Sequence, residues 1–355
     1  MVKLCTSLSR HSLPSEVVFS PPQISQKFPS SLHDFIAALC TWRKQTHKDK
    51  VYAICLYTSI CDAGLQAHPL IGNDLVSMLV DIGKMNQALH VFEMLEHQDG
   101  HLCNLMIMGY ASCGESQALI DFYHKMGEHE LPCLTGHSYV ILVKACIKLE
   151  DVDSGSRLHI DVVRMGLLER NVFVGSSLVD MYAKCGLAGK AQEVFDKLSF
   201  RNVVSWNALI SGYIESGDNE RALKCFEEMQ LEGINPNEFS WNAVILGVAN
   251  QEKNESAFSL YLQMQEKGQL PDVMTFASVL KAFGNATTLQ NGKRIHSQVY
   301  REVFNESEVV VATALIDMYG KCGGMIEAQE VFDSMQSKDL VAWSAMITGY
   351  TRQGE

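Results

Sequence analysis

The sequence predicts an all-α fold, a solenoid of stacked antiparallel helix-turn-helix units, and three observations carry that prediction. Segments recur: Met181-Tyr182-Ala183-Lys184-Cys185-Gly186 returns 137 residues later as Met318-Tyr319-Gly320-Lys321-Cys322-Gly323, and Val203-Val204-Ser205-Trp206-Asn207-Ala208 is echoed 35 residues on by Glu238-Phe239-Ser240-Trp241-Asn242-Ala243. Apolar stripes at i, i+3, i+4, i+7 repeat with one small and three bulky residues, as in Ala191, Val194, Phe195, Leu198 and Ala222, Cys225, Phe226, Met229, which marks one face of an α-helix. A breaker lies before each such stripe: Gly83, Gly114, Gly186, Gly217 and Gly323 fall where a left-handed residue ends the preceding helix. A lone helix pair cannot bury both of its stripes, so neighbouring pairs must stack. The right-handed sense, with the first helix on the concave wall and the second outside, is that of known helix-pair repeats.

Residues 1–32 differ from the rest of the 355-residue chain. They are rich in serine, hold Pro14, Pro21, Pro22 and Pro29, carry basic Lys3, Arg10 and Lys27, and have Glu16 as the single acidic residue, the composition of an organelle presequence. From His33 onward the recurrences resolve into units at 33–68, 69–99, 100–135, 136–171, 172–202, 203–237, 238–272, 273–308 and 309–339, with a partial unit at 340–355. Unit lengths cycle among 36, 31 and 35 residues. The chain ends at Glu355 just after a first helix, so it reads as part of a longer protein or a shortened product. Hydrophobic residues make up 47% of the sequence, enough for a large core, and the net charge of −12 argues against bulk adhesion to duplex DNA. Eleven cysteines lack any Cys-x-x-Cys spacing, and no apolar run reaches bilayer length, so neither a metal site, a disulfide scaffold nor a membrane span is expected.

These residues resemble the pentatricopeptide repeat (PPR) family, and within it the plant PLS subclass that alternates long, short and standard repeats. Short units carry Leu178-Val179-Asp180-Met181-Tyr182 and its counterpart Leu315-Ile316-Asp317-Met318-Tyr319; standard units carry the Ser-Trp-Asn-Ala cores; long units carry Val143-Lys144-Ala145-Cys146 with Gly155-Ser156-Arg157-Leu158-His159, and Ser278-Val279-Leu280-Lys281-Ala282 with Gly292-Lys293-Arg294-Ile295-His296. A constant 34-residue period with a Trp-Leu-Gly-Tyr signature, which would indicate tetratricopeptide repeats, is not seen.

The resemblance implies sequence-specific binding of single-stranded RNA in a plant organelle, mitochondrion or chloroplast with a lean to the former, at one base per repeat. In such proteins the fifth residue of the first helix and the last residue of the repeat read the base. The second residue wedges between bases. Carried over, the reading pairs are Asn73 with Asp99, Asn104 with Thr135, Ser176 with Asn202, Asn207 with Asn237, Asn242 with Asp272 and Thr313 with Asp339, with Ser344 opening the partial unit. The wedges are Leu70, Phe173, Val204, Phe239, Val310 and Val341, with His101 a polar exception. The implied readout from Leu70 is uridine, two open positions, adenosine, cytidine, uridine, one open position and guanosine. Aliphatic Ala37, Val140 and Ala277 at the fifth place of long units cannot hydrogen-bond a base edge and are expected to act as spacers.

Each reading residue also has an ordinary explanation as a helix cap. Trp206, Trp241 and Trp343 lie on the apolar stripe and are expected in the core; Cys146, Cys185 and Cys322 read as small buried hydrophobes; His159 and His296 recur at one register, which favours packing or hydrogen bonding between repeats. No P-loop, GxSxG, HExxH or deaminase H-x-E with P-C-x-x-C occurs, so no catalytic residue, metal or cofactor is expected. Editing, splicing or processing at the bound RNA would fall to a separate partner enzyme. The alternative class is a helical-repeat protein scaffold without RNA contact.

Overall fold

The computed structural model describes residues 31–45, 48–127, 134–251, 254–283, 289–302 and 309–354. The presequence expected at 1–32 therefore lies outside the described residues, except for Ser31 and Leu32. The chain divides into two compact units, residues 1–96 and 97–355. The described residues are helical, with no strand among them.

The first unit holds α1 (Leu32–Lys44), α2 (Lys50–Asp62), α3 (Gly72–Asp81) and α4 (Met85–Met94). Ser31 opens α1 through a capping box with Asp34, and the Asp49 carboxylate accepts the first free N–H groups of α2. Phe35, Leu39 and Trp42 of α1, Leu56 of α2, Leu75 and Leu79 of α3 and Phe92 of α4 are buried. The short repeat closes tightly, since a Cβ on Gly72 would sit 2.3 Å from Leu95 Cδ2.

The second unit holds seven hairpins and a final helix. Their first helices are α5 (Gly100–Cys113), α7 (Gly136–Leu149), α10 (Val172–Lys184), α12 (Val203–Glu215), α14 (Glu238–Asn250), α16 (Val273–Ala282), α18 (Val309–Cys322) and α20 (Leu340–Gln353). Their second helices are α6 (Ser116–Gly127), α8 (Val152–Arg164), α11 (Ala188–Asp196), α13 (Asn219–Leu231), α15 (Asn254–Glu266), α17 (Leu289–Glu302) and α19 (Met325–Ser334), with a short α9 (Leu167–Arg170) after α8. Each first helix packs on the first helix of the next hairpin, and each second helix packs on its own partner and on the following first helix. That is the stacking two apolar stripes per hairpin require. Close approach between first helices rests on small residues: a Cβ on Gly212 would lie 2.6 Å from Ala183 Cβ and 3.1 Å from its Cα.

The hairpins begin and end by one rule. In the second unit, among the described residues, the last residue of a repeat caps the next first helix: Asp99, Thr135, Asn171, Asn202, Asn237, Asp272 and Asp339 all accept a backbone N–H from its first turn. The fifteenth residue closes it in the left-handed region, where Gly83, Gly114, Gly186, Gly217 and Gly323 stand as the sequence predicts. Glu150 occupies that register in the repeat at 136–171 with φ 55°, the one non-glycine residue of positive φ among those described. Second helices are less uniform. Asp151 and Asp218 cap α8 and α13, whereas Lys84, Leu187 and Gly324 of the short repeats give α4, α11 and α19 no side-chain cap.

Aromatic contacts tie successive hairpins. Phe195 meets Trp206 edge-on at 4.5 Å between centroids, Phe226 meets Trp241 at 4.7 Å, and Phe332 meets Trp343 at 4.7 Å. Trp206 and Trp241 are core residues as expected. Trp343 is not: it keeps the Phe332 contact but is 51% exposed. Cys146 and Cys322 are buried while Cys185 is half-buried. Burial pushes the Cys146 and Cys225 thiols up to about 12, which keeps them protonated and inert.

The two recurrent histidines bridge long to short repeats. His159 of α8 shares a hydrogen bond with the Tyr182 hydroxyl of α10 at 3.1 Å, and His296 of α17 shares one with Tyr319 of α18 at 2.8 Å. Both ring pairs are edge-to-face. Burial lowers both imidazoles below the ordinary histidine range, with Lys197 and Lys190 adding to the effect at His159 and Glu330 opposing it at His296.

Candidate functional site

At several boundaries the cap that starts a first helix also reaches the fifth residue of the preceding first helix. Asn242 Nδ2 donates to both oxygens of Asp272 at 2.9 and 3.1 Å, while Asp272 accepts the Thr275 N–H at 2.7 Å. Asn207 Nδ2 donates to Asn237 Oδ1 at 3.1 Å, and that oxygen accepts the Ser240 N–H at the same distance. The Ser176 hydroxyl donates to the Val172 carbonyl at 2.7 Å and lies 3.3 Å from Asn202 Oδ1. The choice between a capping residue and a pairing residue is thus not exclusive at these boundaries, where the same atoms do both.

The remaining predicted pairs behave differently. Asn104 turns its Nδ2 to the Gly100 carbonyl of its own helix, and its Oδ1 accepts from the Thr135 N–H at 3.0 Å. The Thr313 hydroxyl donates back to the Val309 carbonyl, while Asp339 accepts the Ala342 N–H at 2.8 Å; no bond joins the two side chains. The physical reason is that a threonine hydroxyl in a helix readily satisfies itself on the carbonyl four residues back. Asn73 is exposed on α3 in the first unit, Asp99 caps α5 in the second, and Ser344 is exposed on α20.

Beside these polar pairs stand exposed apolar side chains. Leu70, Phe173, Val204, Phe239, Val310 and Val341, the second residues of their repeats, are all more than half exposed. Met274, 54% exposed, holds the same place in the repeat at 273–308 and escaped the sequence reading because its repeat has an aliphatic fifth residue. His101 is exposed too. In the ninth place, long repeats expose Lys144 and Lys281, whereas Asp180 and Asp317 of the short repeats pair with Lys184 and Lys321 one turn on. In the second unit the first helices carry more basic than acidic side chains and the second helices the reverse.

Sequence reasoning missed a further group. The third residue of the next repeat reaches back to the fifth: Ser240 Oγ donates to Asn207 Oδ1 at 2.6 Å, Thr275 Oγ1 donates to Asn242 Oδ1 at 2.5 Å, and the Ser138 hydroxyl donates to Asn104 Oδ1. The available signal was the recurrence of Ser or Thr three residues after a cap, which alone reads as a capping box.

Comparison with known proteins places the chain. The profile described as "PPR repeat family" matches residues 201–240 and 236–285, and that described as "PPR repeat" matches 101–131, 176–203 and 310–340. The chain is 41% identical over 316 residues to the pentatricopeptide repeat-containing protein At5g16860 of Arabidopsis thaliana, covering 86% of this chain and 36% of that protein. It is 32% identical over 284 residues to another from the same plant, named chloroplastic, covering 80% of this chain and 40% of that one. A third, named mitochondrial, is 29% identical over 289 residues and covers 81% and 24%. The chain spans less than half the length of these relatives. The crystal structure of PPR10 in complex with an 18-nucleotide psaJ RNA element superposes with a TM-score of 0.66 at 18% identity, over 92% of this chain and 48% of that one, which is a likeness of fold. Repeating hairpins, matched profiles and relatives agree: the chain belongs to the pentatricopeptide repeat family.

Proposed function

We propose that the chain binds single-stranded RNA by sequence in a plant organelle, one base per repeat, and selects the site at which a separate enzyme edits or processes the transcript. The observation that carries this reading is the joined fifth and last residues at consecutive repeat boundaries, flanked by exposed apolar second residues. Unpaired bases offer their Watson-Crick edges to such pairs, and exposed apolar side chains between them can separate the bases. The chemistry of the last residue supports base choice. Asn237 turns its oxygen inward to the Ser240 N–H, leaving its amide N–H groups as outward donors that suit the N3 acceptor of cytosine. Asp272 keeps free lone pairs on Oδ2, which suit the N3–H of uracil. Proteins named chloroplastic and mitochondrial among the relatives, and the RNA held by PPR10, support the same reading.

The cycle of unit lengths and the His-Tyr couples at both long-to-short junctions support assignment to the PLS subclass. The presequence composition of residues 1–32 supports import into an organelle.

Selection from a randomised pool of single-stranded RNA on the purified chain tests the reading. The repeats from Val172 to Asp272 are expected to enrich adenosine-cytidine-uridine in consecutive positions. Asn242→Thr with Asp272 kept is expected to move the third of these from uridine to guanosine by about 1 to 3 kcal/mol. A pool that emerges without sequence enrichment would leave the helical-repeat protein scaffold as the surviving reading.

A further inference from the structure

We propose that the third residue of a repeat is a positioning residue for the base-reading asparagine of the repeat before it, fixing which end of that amide faces the RNA. The proposal rests on the base-reading function above and identifies what sets its donor pattern. An asparagine amide can be turned end for end with almost no change of shape, yet the turn exchanges donor for acceptor and so changes the base it fits.

Two boundaries show how the ambiguity is removed. The Ser240 N–H can only donate, so Asn237 must present Oδ1 to it; that oxygen in turn draws Asn207 Nδ2. The Ser240 hydroxyl accepts the Asn237 N–H at 3.2 Å, and its single proton has two acceptors in reach, Asn237 Oδ1 at 2.9 Å and the nearer Asn207 Oδ1 at 2.6 Å. Thr275 does the same one repeat later, accepting the Asp272 N–H at 3.0 Å and donating to Asn242 Oδ1 at 2.5 Å. Ser240 and Thr275 are fully buried, so water does not compete for these protons. Each asparagine is held at both ends, its Oδ1 by the hydroxyl and its Nδ2 by the last residue of its own repeat.

The rest of the chain supplies the contrast. Where the fifth residue is aliphatic, as at Val140 and Ala277, the third residue of the next repeat is Val174 or Val311, so the hydroxyl is absent where there is no amide to orient. Ser205 stands at the same place and completes a capping box with Asn202, but its hydroxyl bonds the Asn202 carbonyl at 2.9 Å and leaves Ser176 alone. It is the cap without the positioning contact.

The test uses the full chain and four oligoribonucleotides that carry each base at the nucleotide facing the repeat at 238–272, in a sequence first selected on the wild type. Thr275→Val is expected to reduce the preference for uridine over cytidine there by about 3- to 10-fold, the worth of one hydrogen bond. The preference at the neighbouring nucleotide should stay, and Thr275→Ser should restore the wild-type ranking. Ser240→Ala should reproduce the loss at the repeat at 203–237, and it serves in place of Thr275→Val if the latter does not fold. Ser205→Ala should lower thermal stability and move no preference. Equal weakening of all four oligoribonucleotides by Thr275→Val or Ser240→Ala would mean that the hydroxyl is a cap alone, and would overturn the proposal. Asn242→Ala separates the two levels. If it too leaves the ranking intact, base reading itself fails; if it flattens the ranking while the hydroxyl variants do not, only the positioning role fails.

Discussion

Asp272 shows how much one side chain carries in this protein: it caps α16 through the Thr275 N–H and accepts both contacts from Asn242. Residue-scale strain is found elsewhere, at Glu150, whose left-handed backbone is occupied by glycine at the same register of other repeats. Glu150→Gly removes the steric cost of a Cβ there and is expected to stabilise the protein by about 0.5 to 1 kcal/mol, net of the extra chain entropy, in chemical denaturation. His159 and His296 make stability depend on pH. Their folded-state pKa values lie below the unfolded value near 6.5, so the neutral form is favoured on folding. Their contribution is complete above about pH 6.5 and is lost as pH falls through and below that value, because the unfolded chain then takes up protons that the folded chain refuses. The thermal midpoint is expected to drop between pH 7.5 and 5.5, and less so in the double variant His159→Gln, His296→Gln.

At the scale of the helix, the first helices approach closely because small residues meet where they cross. Gly212→Ala would place a methyl 2.6 Å from Ala183 Cβ and 3.1 Å from its Cα, and neither atom can rotate away without parting α10 from α12. A loss of about 1 to 3 kcal/mol is expected in equilibrium unfolding. Much of this level was legible in the sequence. Stripes and turn glycines marked the hairpins, and the caps fell where the unit boundaries were drawn, since periodicity and capping are local properties of the chain. The short repeats were less legible at α4, α11 and α19, which begin at Lys84, Leu187 and Gly324 without a side-chain cap and are held by packing of Ala88, Phe92, Ala191, Phe195, Ala328 and Phe332 instead. Trp343 misled for a related reason: its stripe is that of a core residue, but a stripe marks a helix face and does not say what covers it. The contacts of Ser240 and Thr275 with the preceding helix were hidden because they join residues 33 apart, and sequence shows only the cap three residues away.

Across the whole molecule, a net charge of −12 bears on the RNA binding proposed above. Few lysines stand exposed beside the proposed reading positions, Lys144 and Lys281 among them, so on that proposal counterion release contributes little. The logarithm of the RNA association constant is expected to fall with the logarithm of salt concentration no more steeply than about −2, measured on the selected sequence. On the same proposal affinity resides in stacking and base-edge contacts, and these can be changed one repeat at a time. The shared use of the terminal residue has a consequence for how such a chain can diverge. Asparagine, aspartate, serine and threonine all start a helix well, differing by roughly a kcal/mol or less, and on the proposed reading the same small set distinguishes bases when placed beside the fifth residue. On that reading, exchanges within the set leave folding nearly indifferent while altering the nucleotide preferred, so mutation can wander through new targets along a path of almost constant stability.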